Sequence, residues 1–127
     1  MAVVIGFIPT DVGYRALDAA RAEAEQRGGP LVVVNVLRDG VETDPRHAGD
    51  QDIDIAREHL RGAGVRVAFR QEHTDDDIAD VLLRVVEEER AELLVLGVRR
   101  HHDLARHLLG LTVQKLLLGA PSEVLVV

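Results

Sequence analysis

The sequence of 127 residues has no cysteine and no tryptophan, and its aromatic side chains are limited to Phe7, Tyr14 and Phe69. Without cysteine there can be no disulfide, no thiolate nucleophile and no Cys-based zinc or iron–sulfur site. So few aromatics leave no stacking platform for single-stranded nucleic acid. Basic residues are also in deficit: 15 Lys and Arg face 22 Asp and Glu, for a formal charge of -7 that repels nucleic-acid phosphates and anionic membrane surfaces alike. Ser122 is the only serine and has no local base, so a serine nucleophile is not expected. The carboxylate groups at Asp75 to Asp77 and Glu87 to Glu89 read as helix capping and a solvated helix end, not as an acid/base pair. No catalytic apparatus emerges, and the chain is expected not to be an enzyme. No apolar run approaches the roughly 20 residues that span a bilayer. Met1 leads straight into Val3 to Ile8 without a basic leader, which predicts a cytoplasmic protein with no signal peptide.

What the sequence does have is a regular alternation. Aliphatic and β-branched runs at Val3 to Ile8, Leu31 to Leu37, Val65 to Phe69, Leu93 to Gly97 and Val124 to Val127 suit strands buried on both faces. Helical segments lie between them. Gly13 to Arg27 sets Leu17, Ala20 and Ala24 on one stripe and stops at Gly28-Gly29-Pro30. Asp50 to Arg61 carries Ile53, Ala56 and Leu60 at helical spacing, with His59 at the edge of that stripe. A third helix is predicted with Thr74 as its cap and Ile78, Val81, Leu82 and Val85 facing inward. A fourth runs from Gly110 to Leu118, with Gly119 as a left-handed cap. Strand and helix alternating in this way require right-handed crossovers, which predicts one α/β domain over residues 1–127. Its core is a doubly wound, five-stranded parallel sheet with helices on both faces. Arg38 to Gly49 is the longest irregular stretch and reads as a surface loop.

Ligands of such sheets bind beyond the carboxyl ends of the strands, where the winding reverses. The candidate segments are therefore Pro9-Thr10-Asp11-Val12-Gly13, after the first strand, and Gly97 to Gly110, after the fourth. The second gathers Arg99, Arg100, Arg106, His101, His102 and His107 around Asp103, a positive island before a helix N-terminus that suits an anion or reads simply as a solvated loop. Its histidines do not show metal-ligand spacing, so no metal site is expected. A phosphorylatable receiver domain is excluded, because Pro9-Thr10 and Arg70-Gln71 stand where its acidic residues would follow the first and third strands.

From Gly97 to Val127 the chain resembles the C-terminal signature of the universal stress protein family, G-x2-G-x9-G-(S/T), then a helix, then A-P and a short apolar strand. Gly97, Gly110, Ala120-Pro121 and Val124 to Val127 fall in that register without a gap. Ile5-Gly6, Arg15-Ala16-Leu17, Asn35-Val36 and Glu92 to Gly97 extend the resemblance over the whole chain. It implies a Rossmann-like fold and a homodimer paired through the last strand, Val124, Leu125, Val126 and Val127. It also implies a candidate nucleotide or anion site formed by Ile8, Pro9, Thr10, Asp11, Val36, Gly97, Val98, Arg100, Gly110, Leu111 and Thr112.

At three points the chain departs from the nucleotide-binding pattern. Ile8 stands where a carboxylate would hold the adenine, with Asp11 as a possible substitute; Arg100 replaces the second glycine, and Leu111 the terminal hydroxyl. The resulting expectation is a stress-response homodimer that acts by binding and does not hold ATP in the usual way. Two alternatives stay open. One is ATP binding with Arg100 and Thr112 supplying the phosphate contacts; the other is a structural dimerisation module whose crevice is filled by Ile8, Arg100 and Leu111.

Overall fold

The computed structural model describes residues 1–40, 44–98 and 110–127. In chain order the elements are β1 (Ala2–Gly6), α1 (Asp11–Arg27), β2 (Leu31–Arg38), α2 (Asp50–His59), β3 (Val67–Thr74), α3 (Ile78–Glu88), β4 (Ala91–Leu96), α4 (Leu111–Gly119) and β5 (Glu123–Val126). All five strands are parallel, in the order β3-β2-β1-β4-β5. Winding therefore runs outward in one direction from β1 to β3 and in the other from β4 to β5. The reversal falls between β1 and β4.

The doubly wound reading of the sequence describes this sheet, and each face has its own core. Alternate residues of β1 split between them: Val3 and Ile5 pack with Leu17, Ala20 and Ala56 on the α1/α2 face, and Val4 packs with Leu82, Val85 and Leu116 on the α3/α4 face. Val3, Val4 and Ile5 are all fully buried, which is why the central strand reads as an unbroken aliphatic run.

The two edge strands follow a different rule. The run Val65 to Phe69 predicted a short third strand, but β3 extends to Thr74, pairing residue for residue with β2 from Leu31↔Val67 to Arg38↔Thr74. An edge strand has one neighbour and a half-solvated surface, so polar Arg70 to Thr74 fit it as well as valines would. Arg70-Gln71 consequently lie inside the strand and not in a loop after it. The remaining predicted strands differ from the observed ones by one or two residues.

Helix ends also differ from expectation, and α2 stops at His59, two residues short of Arg61. α1 begins two residues early because the Thr10 side chain caps it, accepting from the Gly13 amide at 3.3 Å. α3 is capped by Asp77, which accepts from the Ala79 amide at 2.9 Å; Thr74 ends β3 instead, its hydroxyl accepting from the Asp76 amide. Gly119 is no left-handed cap: it lies within α4, and the helix stops at Ala120 in extended conformation. Pro121 enforces that stop, since the residue before a proline is pushed out of helical conformation. Gly119 serves packing instead, because a Cβ there would approach Leu83 of α3 to 3.3 Å.

Candidate functional site

The switch point opens into a crevice of about 180 Å³. Its floor is the strand ends Gly6 to Ile8, Val34, Val36 and Leu96-Gly97; its walls are Val12-Gly13 of α1, Ile78 and Leu82 of α3, and Thr112, Val113 and Leu116 of α4. Most of this surface is apolar. Arg46, from the β2–α2 loop, is the only ionisable side chain among the described residues lining the crevice.

Two glycines let the floor close. A Cβ on Gly13 would lie 1.7 Å from the Ile8 carbonyl oxygen, and one on Gly97 would lie 2.6 Å from that of Val12. The turn after β1 is thus pressed onto the first turn of α1, and the exit of β4 onto the same segment. Gly97 is required by the backbone beneath it, a role independent of any phosphate.

Arg46 is held at both ends. Asn35, 1% exposed in the middle of β2, donates through Nδ2 to the carbonyls of Phe7 and Arg46 (2.9 Å each), while its Oδ1 accepts from the Ala48 amide at 3.0 Å. One buried amide thereby ties the end of β1 to the loop that covers the ends of β1 and β2. The Arg46 guanidinium is oriented by Asp44: Nε donates to Oδ1 at 2.9 Å and Nη2 to Oδ2. That fork holds the Asp44 carboxyl below the usual carboxylate range and makes Arg46 still harder to deprotonate.

Beside the crevice, and sharing Arg46, Ile78 and Thr112 with it, lies a polar cleft lined also by Arg38, Asp76 and Asp77. Asp77 is committed elsewhere: Lys115 Nζ donates to it at 2.7 Å and to Asp80 at 2.8 Å. Lys115 is the leading cause of the lowered Asp77 pKa.

Of the residues singled out in the sequence, Ile8, Val36, Gly97 and Thr112 line the crevice. Asp11 does not; it is the exposed first residue of α1. Pro9 and Thr10 form the turn behind Ile8, and Thr10 is used as the cap. The Val98 amide donates to Val127 O at 2.9 Å, and the Val98 carbonyl accepts from Arg15 Nη2 at 3.0 Å. Gly110 caps α4.

Leu111 corrects an expectation, because it is 84% exposed and fills no part of the crevice. Thr112, one position on, lines the crevice in its place, although it too is exposed. Arg100, with the rest of the basic island (Arg99, His101, His102, Asp103, Arg106 and His107), lies outside the described residues. Sequence reasoning missed Arg46 and gave Asn35 no role. A single asparagine inside Leu31-Val-Val-Val-Asn-Val-Leu37 was a usable signal, since a polar group in a buried strand needs partners.

A parallel, doubly wound sheet with a largely apolar crevice at its reversal defines a Rossmann-like α/β protein, in which such a reversal is the usual place for a ligand. The comparisons narrow this class. The sequence pattern of the universal stress protein family matches residues 1–127. A universal stress protein of Mycolicibacterium smegmatis is 32% identical over 125 residues, covering 98% of this chain and 95% of that protein. Among solved structures, a universal stress protein family member from Burkholderia pseudomallei superposes with a TM-score of 0.76 at 26% identity, covering 99% of this chain and 94% of that one. The universal stress protein of Archaeoglobus fulgidus in complex with dAMP gives 0.65 at 25% identity, over 98% and 94%. The chain belongs to the universal stress protein family. No helix among the described residues is long and apolar enough to cross a membrane.

Proposed function

We propose that this chain forms one domain over residues 1–127 and works as a cytoplasmic, non-catalytic homodimer. In this reading it acts by binding a compact ligand in the crevice and does not hold ATP in the usual way. The apolar lining carries the proposal: Ile8 occupies the place of a base-binding carboxylate, Asp11 points to solvent, and about 180 Å³ is less than the roughly 300–1,000 Å³ of most small-molecule sites. Mg-ATP at millimolar concentration should leave the thermal unfolding midpoint unchanged. A nucleotide held at 100 times its dissociation constant would add about 2.7 kcal/mol, so a clear upward shift refutes the proposal.

One observation favours a nucleotide of smaller size. Thr112 faces the crevice and offers a hydroxyl that Leu111 lacks, and the Archaeoglobus fulgidus relative was solved with a monophosphate, dAMP. A nucleoside monophosphate is therefore the ligand class this reading selects.

For assembly, the support is the position of β5 at the sheet edge, where one side of the strand has no partner strand among the described residues. Val124 packs against the α3/α4 core and Leu125 and Val127 against the α1/α2 core, so charges at these positions would damage folding as well as pairing. Val126 belongs to neither cluster. Val126→Lys should therefore halve the mass seen by sedimentation while leaving the circular dichroism unchanged; an unaltered mass refutes pairing through β5.

A further inference from the structure

Resting on the reading of the crevice as a monophosphate site, we infer that Arg46 is the residue that takes the ligand's anionic group, from the β2–α2 side, in place of the loop after β4. The argument begins with charge. Within the crevice Arg46 is the sole ionisable lining group among the described residues, surrounded by Phe7, Ile8, Val36 and Ile78. An anion entering an apolar slot loses its hydration and must find a compensating partner there. The guanidinium is that partner.

Its geometry fits the task. Asp44 engages Nε and Nη2, which fixes the plane of the guanidinium and leaves Nη1 without a partner among the described residues. A side chain fixed in this way loses little rotamer freedom on binding, so more of the contact energy appears as affinity. Asn35 holds the backbone of the same residue, and so acts as a positioning residue. Thr112 lines the crevice together with Arg46 and can donate its hydroxyl to the same anion.

The neighbouring cleft bears on the size of the anion. Beside Arg46 its lining carries Arg38, Asp76 and Asp77. Lys115 neutralises Asp77, and Arg38 acts on it at longer range, but the Asp76 carboxylate has no cationic partner among the described residues. A single phosphate can rest on Arg46 alone, whereas a chain of phosphates extending into that cleft would meet the Asp76 carboxylate. This favours one anionic group over three.

The test compares AMP with adenosine by calorimetry on the wild type, Arg46→Gln and Arg100→Gln. The wild type should prefer AMP by about tenfold or more, as a charge-assisted contact to phosphate implies. Arg46→Gln should erase that preference and leave adenosine affinity within about twofold, with the thermal midpoint reporting that the variant is folded; Arg46→Lys should restore part of the preference, and Arg100→Gln should leave it intact. If the preference survives in Arg46→Gln, or vanishes in Arg100→Gln, the role of Arg46 is overturned while the monophosphate reading stands. If neither compound binds the wild type, both are overturned.

Discussion

Replacing Asn35 by leucine should lower the unfolding free energy by about 3 kcal/mol, although the two side chains are of similar size and the site is buried. The cost comes from what the leucine leaves behind. The amide of Ala48, itself 3% exposed, loses the acceptor 3.0 Å away, and the carbonyls of Phe7 and Arg46 lose their donor. Each buried polar group stranded in this way costs about 1–3 kcal/mol, and the sum falls short of three full penalties because water can reach the loop. Gln71 cannot compensate: its amide donates chiefly to the Ala48 carbonyl at 2.7 Å and lies 3.5 Å from Asn35 Oδ1. Denaturant titration gives the magnitude, and amide exchange at Ala48 gives the location. Protection at Ala48 should fall by more than the global change accounts for. A loss of stability below 1 kcal/mol means that the loop is held by other contacts.

Gly13→Ala should cost about 3 kcal/mol as well, roughly 10 °C in midpoint, against the expectation from helix propensity. Gly13 is the third residue of α1, and alanine inside a helix is ordinarily better than glycine by about 1 kcal/mol. Here the added methyl would meet the Ile8 carbonyl oxygen at 1.7 Å and its carbon at 2.7 Å. Both are backbone atoms, so no side chain can swing aside. The turn after β1 must move away from the helix, and with it the crevice wall that Ile8 provides. Gly110→Ala makes the contrast: no atom of a described residue lies within 4 Å of the new methyl, and losing a neutral helix cap should change stability by about 1 kcal/mol or less. If the two variants melt alike, close packing at Gly13 is not what the residue is for.

These residues also show where sequence reasoning works. β1, β2 and β4 were legible because a strand buried on both faces is apolar at nearly every position. β3 was cut short because an edge strand need not be, and its polar half resembled a loop. The crevice could be placed from topology alone, as the reversal of winding follows from the order of strands and helices. Its lining could not. Counting residues in the signature put Leu111 at the hydroxyl position, but which residue of the first turn of α4 meets the crevice depends on how Val113 and Leu116 pack on the core. Arg46 sits on a loop held by Asn35, eleven residues earlier, by Gln71 and by the Arg38 amide; no local pattern around Asp44 to His47 announces it.

The two tight approaches at Gly13 and Gly97 carry a consequence for selectivity. With carbonyl oxygens of the first turn lying where those glycines allow no methyl, that side of the slot cannot widen without separating backbone from backbone. A molecule too broad for it is refused by shape, at no cost in specific repulsive contacts. Adaptability is left to the opposite rim, where side-chain hydrogen bonds from Asn35 and Gln71 hold down the segment that brings the arginine.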